Sequence, residues 1–152
     1  MTLISRNALV PYSVEEMYAL VDNIETYAEF LPWCRSTEVT CREVISNELT
    51  EVQASIEIAR GALNKSFTTF NRLQVNNMIE MQLVKGPFKH LHGFWRFHAL
   101  KDKSASKISL ELEFEFESKL IALAVGPVFN QIANSMVDAF SKRAVEVYGD
   151  RI

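Results

Sequence analysis

Across residues 35–118 apolar and polar side chains alternate with a period of two, the spacing that sends every second residue of a β-strand to the same face. Six strands are predicted there, over 36–45, 48–60, 63–74, 77–85, 90–100 and 106–117. The last is the most regular: Ile108, Leu110, Leu112, Phe114 and Phe116 alternate with Ser109, Glu111, Glu113, Glu115 and Glu117. One face of such a strand is buried and the other wet, as in antiparallel sheets. Turn-forming residues fill the gaps: Ser46-Asn47, Gly61, Asn76-Asn77, Gly86-Pro87 and Lys101-Asp102-Lys103-Ser104. A further strand over 2–10, with Ile4, Arg6, Ala8 and Val10 on one face, stops at Pro11.

Two other stretches have helical spacing. Ser13-Val14-Glu15-Glu16 is a capping box, and the helix it opens buries Val14, Met17, Tyr18 and Val21. A second short helix spans about 24–30. The segment 120–148 carries a broad apolar stripe of Ile121, Val125, Val128, Phe129, Ile132, Met136, Val137, Phe140, Ala144, Val145 and Tyr148. Gly126-Pro127 either kinks this helix or marks its start, and Gly149 is placed to cap its end. The predicted architecture is therefore α+β. About seven antiparallel strands present one apolar face, and a long helix must cover it. A twisted sheet curls around such a helix, and any space the helix leaves unfilled is an apolar cavity.

The chain has 152 residues, the size of one domain, and no linker, repeat or low-complexity stretch divides it. Its longest unbroken apolar run is far short of the roughly 20 residues a membrane helix needs. No secretory or transit-type segment opens the chain, so the expected location is the cytoplasm, with peripheral contact at the inner face of the membrane. Cys34 and Cys41 lie seven positions apart in one predicted strand, on opposite faces, and are expected to be reduced thiols. A net charge of −3 argues against a dedicated DNA binder but leaves room for a local basic patch.

The sequence Phe30-Leu31-Pro32-Trp33 places large apolar side chains in a loop, because a helix ends before a proline. That stretch also carries a resemblance. Val10-Pro11-Tyr12-Ser13, Phe30-Leu31-Pro32-Trp33-Cys34, Lys85-Gly86-Pro87-Phe88, Trp95-Arg96-Phe97 and Ala139-Phe140 with Arg143-Ala144 resemble the START-like (helix-grip, SRPBCC) superfamily. Within it, they resemble the family of mitochondrial coenzyme Q-binding proteins and bacterial ribosome-association toxins. The likeness spans nearly the whole chain and departs mildly at Ala62, where members often carry an aliphatic residue. It implies a helix-grip fold with a pocket. For function it implies either a carrier of ubiquinone or a similar polyprenyl lipid, supporting respiratory electron transport, or a factor that binds the large ribosomal subunit and blocks subunit joining.

In a helix-grip fold the loop after the second short helix sits at the cavity mouth. Leu31, Pro32 and Trp33 are expected to form one lip there and Gly86, Pro87 and Phe88 another, each able to dip into a membrane surface; alternatively Trp33 folds back as a lid. Tyr27 and Phe30 stand beside the first lip. The strands offer Phe67, Met81, Leu83, Trp95 and Phe97 to the interior, and the long helix offers Phe129, Met136, Val137 and Phe140. Aromatic and methionine walls suit a long apolar ligand. The same residues also make an ordinary filled core. Between 81 and 101 there is no acidic residue. Lys85 and Lys89 flank the Gly-Pro-Phe turn and are the candidates for a lipid head group or RNA, whereas Arg96 faces the glutamates of the next strand.

No metal site is expected: His90, His92 and His98 share a strand face but lack further ligands nearby in sequence. No cofactor is required, and no catalytic motif is present. Tyr27, Arg60, Lys65 and Asp138 are the polar residues that an enzyme of this fold would have to turn inward. The binding of a hydrophobic small molecule is therefore the leading reading.

Overall fold

The computed structural model describes residues 1–151. Seven strands form one antiparallel sheet: β1 (Thr2–Val10), β2 (Cys34–Val44), β3 (Leu49–Arg60), β4 (Leu63–Gln74), β5 (Met78–Lys85), β6 (Phe88–Ala99) and β7 (Ser106–Phe116). Their order across the sheet is β1-β7-β6-β5-β4-β3-β2. After β1 the chain crosses to the far edge through α1 (Val14–Asp22), a 3-10 turn (Ile24–Thr26) and α2 (Tyr27–Phe30). It then returns strand by strand, so that Ile4 on β1 faces Leu112 on β7. The last element, α3 (Lys119–Tyr148), packs against β1, β7 and α1.

The local reasons are those the pattern implies. Ser13 and Glu16 form both halves of the capping box, at 3.1 and 3.0 Å. Asn76 takes the left-handed conformation (φ 61°) in the β4–β5 turn, which asparagine tolerates better than most residues. Inward positions alternate along each strand: Val52, Ala54 and Ile58 on β3, Leu91, Trp95 and Phe97 on β6, Ile108, Leu110 and Phe114 on β7. Bulges interrupt the ladders at Cys34/Ser36, Val39/Cys41, Thr68/Thr69 and Phe88/His90.

Two boundaries and one face differ from expectation, while α3 spans what its stripe implies. β2 begins two residues early, at Cys34, because the Trp33 carbonyl already accepts from Ala59 N at 2.9 Å. β6 begins at Phe88, which pairs with Phe116. α3 neither starts at Pro127 nor waits for it: Ser118 caps the helix, accepting from Ile121 N, and Pro127 lies inside. Pro127 is exposed, so the Leu123 carbonyl that its ring deprives of a donor lies on the solvent side. Val145, expected in the stripe, is 44 % exposed.

By length and composition α3 is apolar enough to cross a membrane. Run length missed this, since polar residues such as Asn130 and Asn134 break the stretch. In the fold α3 is the helix that covers the sheet. Gly149 (φ 89°) closes it by donating to the Val145 carbonyl.

Candidate functional site

Between α3 and the concave face of the sheet lies a cavity of about 90 Å³. Tyr27, Trp33, Phe67, Met81, Trp95, Phe129 and Met136, all singled out from sequence, line it. Leu91, on the same β6 face as Trp95, lines it too, and the structure adds residues that were not expected: Ile24, Ala54, Ile56, Ile58, Leu110, Leu112, Ile132 and Ala133, and two polar ones, Thr69 and Asn71. The last two sit at alternate positions of β4, flanked by Phe67 and Leu73 on the same face. Alternation alone places them inward, but nothing in the sequence distinguishes a cavity wall from a filled core.

The other proposed wall residues lie elsewhere. Phe88 is buried among Phe67, Phe114, Phe116 and Phe129, with ring centroids 5.9, 6.3, 5.2 and 4.9 Å away. It is packed core and does not form a lip. Pro87 is half-buried and bound through its carbonyl to Glu117 N. Phe97 packs edge-on against Tyr18 and lies parallel to Trp95, while Phe140 contacts Tyr27, Phe30 and Trp95. Val137 is buried, and Leu83 is half-buried beside Gly86. None of these lines the cavity, because ordinary packing consumes their surface.

The Leu-Pro-Trp loop does not offer its large side chains to water. Leu31 is fully buried and Trp33 is 7 % exposed; Pro32 alone is exposed. The loop is held by Cys34 N donating to the Leu31 carbonyl and Ala59 N to that of Trp33, both at 2.9 Å. Trp33 therefore folds back over the cavity it lines, and in this conformation Leu31, Trp33 and Phe88 are too deeply buried to meet a membrane surface.

On the lid's far side runs an open groove of about 600 Å³, lined by Phe30, Leu31, Pro32 and Ala139 together with Glu29, Arg60, Asp138, Lys142, Arg143 and Glu146. Trp33 and Ile132 line both spaces. These two side chains are the partition between groove and cavity.

The polar groups expected of an enzyme do not converge. Tyr27 is buried and its hydroxyl donates to the Val21 carbonyl. Burial, reinforced by the charge of Asp22, drives its ionisation far above the ordinary range. Arg60 and Asp138 face the outer groove, and Lys65 is exposed. Burial also pushes the Cys34 thiol up to about 11, with Glu57 adding to the effect, so it stays protonated and unreactive at neutral pH. Cys41 is exposed, and both cysteines are free.

In the basic stretch Arg96 and two of the histidines are matched by glutamates, and the lysines are not. Arg96 meets Glu111 at 3.0 Å, His90 Nε2 lies 2.9 Å from Glu113, and His92 Nε2 lies 2.8 Å from Glu80. Among the described residues no three His, Cys, Asp or Glu side chains converge as a metal site. Lys85 and Lys89 are both exposed, at the two sides of the Gly86-Pro87-Phe88 turn.

Comparison with known proteins agrees with this geometry. Residues 10–141 match the family model described as polyketide cyclase / dehydrase and lipid transport. The chain is 44 % identical to a protein of Vibrio cholerae named ribosome association toxin RatA, over 99 % of this chain and 100 % of that one. It is 27 % identical to the mitochondrial coenzyme Q-binding protein COQ10 of Dictyostelium discoideum, over 91 % of this chain and 66 % of that one. In fold it is similar to a START superfamily protein from Mycobacterium smegmatis, with TM-score 0.76 and 16 % identity over 95 % of this chain and 98 % of the other. It is also similar to the Zhui aromatase/cyclase of Streptomyces, with TM-score 0.75 and 12 % identity over 94 % and 93 %.

Proposed function

The chain belongs to the polyketide cyclase / dehydrase and lipid transport family, and from that premise we propose that it binds a hydrophobic ligand without transforming it, as a carrier of ubiquinone or a similar polyprenyl lipid. The observation that carries the reading is the apolar cavity beneath α3, walled by Trp33, Phe67, Trp95 and Phe129. At about 90 Å³ it is smaller than the roughly 300–1,000 Å³ of ordinary ligand pockets. A ring can enter it, but a polyprenyl chain cannot. The chain has a place in the outer groove, along Phe30, Pro32 and Ala139, and it reaches there only if Trp33 and Ile132 part. Loading is thus a movement of the lid. The same reading needs contact with a membrane surface. That role passes from the buried lips to Leu120 and Leu123 at the start of α3, which are 76 % and 77 % exposed.

Native mass spectrometry of the protein purified from its host, with extraction of whatever is released, tests this. A stoichiometric quinone or polyprenyl lipid is expected. An empty protein that takes up no ubiquinone from vesicles would make the cavity a packing defect.

A second reading is favoured by a specific observation: relatives over 40 % identical along almost the whole chain are named ribosome association toxins. On this reading the protein acts in the cytoplasm on the large ribosomal subunit, with Lys85 and Lys89 as phosphate contacts. Salt-sensitive co-sedimentation with ribosomes is the expected result.

A further inference from the structure

We propose that Asn71 is the hydrogen-bonding anchor of the cavity and that it selects a ring-bearing ligand with an oxygen substituent. The inference rests on the ligand-binding reading above. Asn71 projects from β4 onto the cavity wall and is only 6 % exposed. Its Oδ1 is buried without a hydrogen-bond partner, the one such side-chain oxygen or nitrogen among the described residues. Folded proteins keep these groups few, and each calls for an explanation.

The fold had other choices at this position. The residues paired with Asn71 across the sheet are Val52 and Met81, so a valine or leucine would continue an apolar wall. An asparagine there is unfavourable in the empty protein and favourable only when something completes it. The Tyr27 hydroxyl does not, being spent on the Val21 carbonyl. A trapped water is a poor substitute, because the Thr69 hydroxyl is the one further polar side chain on the cavity wall, fewer partners than a buried water usually has.

An amide can meet an oxygen at either end: Oδ1 accepts, and Nδ2, which makes no hydrogen bond among the described residues, donates. Trp33, Phe67, Trp95 and Phe129 around it present ring faces and edges, which suit a flat ring. A ring that carries an oxygen substituent, held against those walls and hydrogen-bonded to the Asn71 amide, satisfies both features. The cavity would therefore distinguish such a ring from a purely hydrocarbon one.

The test uses three probes of similar shape: p-cymene, its hydroxylated analogue thymol, and thymol methyl ether, which can accept but not donate. Each is titrated by NMR into the full chain and its Asn71→Leu variant. Asn71→Val serves if the leucine variant does not fold. The substitution is expected to weaken thymol about tenfold relative to p-cymene, the ratio that one hydrogen bond of about 1.4 kcal/mol produces. Equal changes for all three probes would remove the role of Asn71 while leaving the cavity as a binding site. Parallel weakening of thymol and its ether would place the contact at Nδ2, and weakening of thymol alone would place it at Oδ1. Failure of every probe to bind the unaltered protein would sink the ligand-binding reading and this inference with it.

Discussion

Asn71 and Glu16 show what a single side chain contributes here. Because Asn71 Oδ1 is buried and unpaired, Asn71→Leu should stabilise the unliganded protein by about 1 kcal/mol or more, since an unsatisfied buried polar group costs roughly 1–3 kcal/mol. A urea titration checks it; an unchanged or lowered midpoint would mean that the amide is satisfied in solution. Glu16 is the opposite case, a polar group with many partners. Both Arg151 guanidinium nitrogens lie within 2.8 Å of its carboxylate, and Ser13 adds backbone and hydroxyl hydrogen bonds. These hold its carboxyl at about 2, well below the ordinary 4.5, with Arg151 the largest cause. A depressed folded-state value means that the stabilisation is complete above about 4.5 and is lost as pH falls toward 2. Arg151→Met should therefore flatten the decline in stability between pH 5 and pH 2, read as urea midpoints at a series of pH values. An unchanged slope would assign acid sensitivity to other carboxylates.

At the scale of elements, the cavity lies where α3 and the inward side chains of β3 to β7 leave space unfilled. Gly93 on β6 controls part of that volume. A Cβ there would stand 2.7 Å from Leu112 Cδ1, 3.0 Å from the Glu111 carbonyl and 3.2 Å from Met81 Cε. Leu112 and Met81 both line the cavity, so Gly93→Ala should push them into it. The expected cost is about 1–3 kcal/mol, with reduced uptake of every probe, whether hydroxylated or not. Undiminished uptake would mean that the cavity expands on loading by more than a methyl group. The far end of α3 is tied down more firmly than its amphipathic stripe implies. Tyr12 donates to the Gly149 carbonyl at 2.6 Å, and Tyr148 donates to that of Glu16 at 2.9 Å. The start of α3, with Leu120 and Leu123 in solvent, has no such fastening beyond its Ser118 cap.

For the whole molecule, the two functional readings call on different surfaces. The carrier reading uses the groove and cavity on the helix side. The ribosome reading uses the β5–β6 turn, where Lys85 and Lys89 remain free of the cross-strand pairing that absorbs Arg96, His90 and His92. Lys85→Glu with Lys89→Glu should leave stability within about 0.5 kcal/mol, as exposed substitutions do. It should abolish ribosome co-sedimentation if that turn is the contact, and leave quinone uptake intact. Co-sedimentation that persists in the double variant would exclude the turn. Loss of both activities together would show that the surfaces are coupled.

Much of this was legible in the chain. The strict alternation of β7, the capping box at Ser13 and Glu16, and the turn residues at Asn76 and Gly61 fix strands, helices and breaks, because they depend on neighbours two to four residues away. The same local patterns put Tyr27, Phe67, Trp95, Phe129 and Met136 inward. They did not distinguish these residues from Phe88, Phe97 and Phe140, which are equally apolar but fill space instead of bordering it. Nor did they settle whether Trp33 faces water, since a proline ends a helix without saying where the next side chain goes. Sequence by itself determined the order of elements and the buried face of each, both consequences of periodicity and backbone stereochemistry. The position of the void, the closing of the Leu-Pro-Trp loop over it and the solitary amide of Asn71 were decided only by the tertiary structure. Each depends on how volumes and hydrogen-bond partners from distant parts of the chain meet, or fail to meet, in three dimensions.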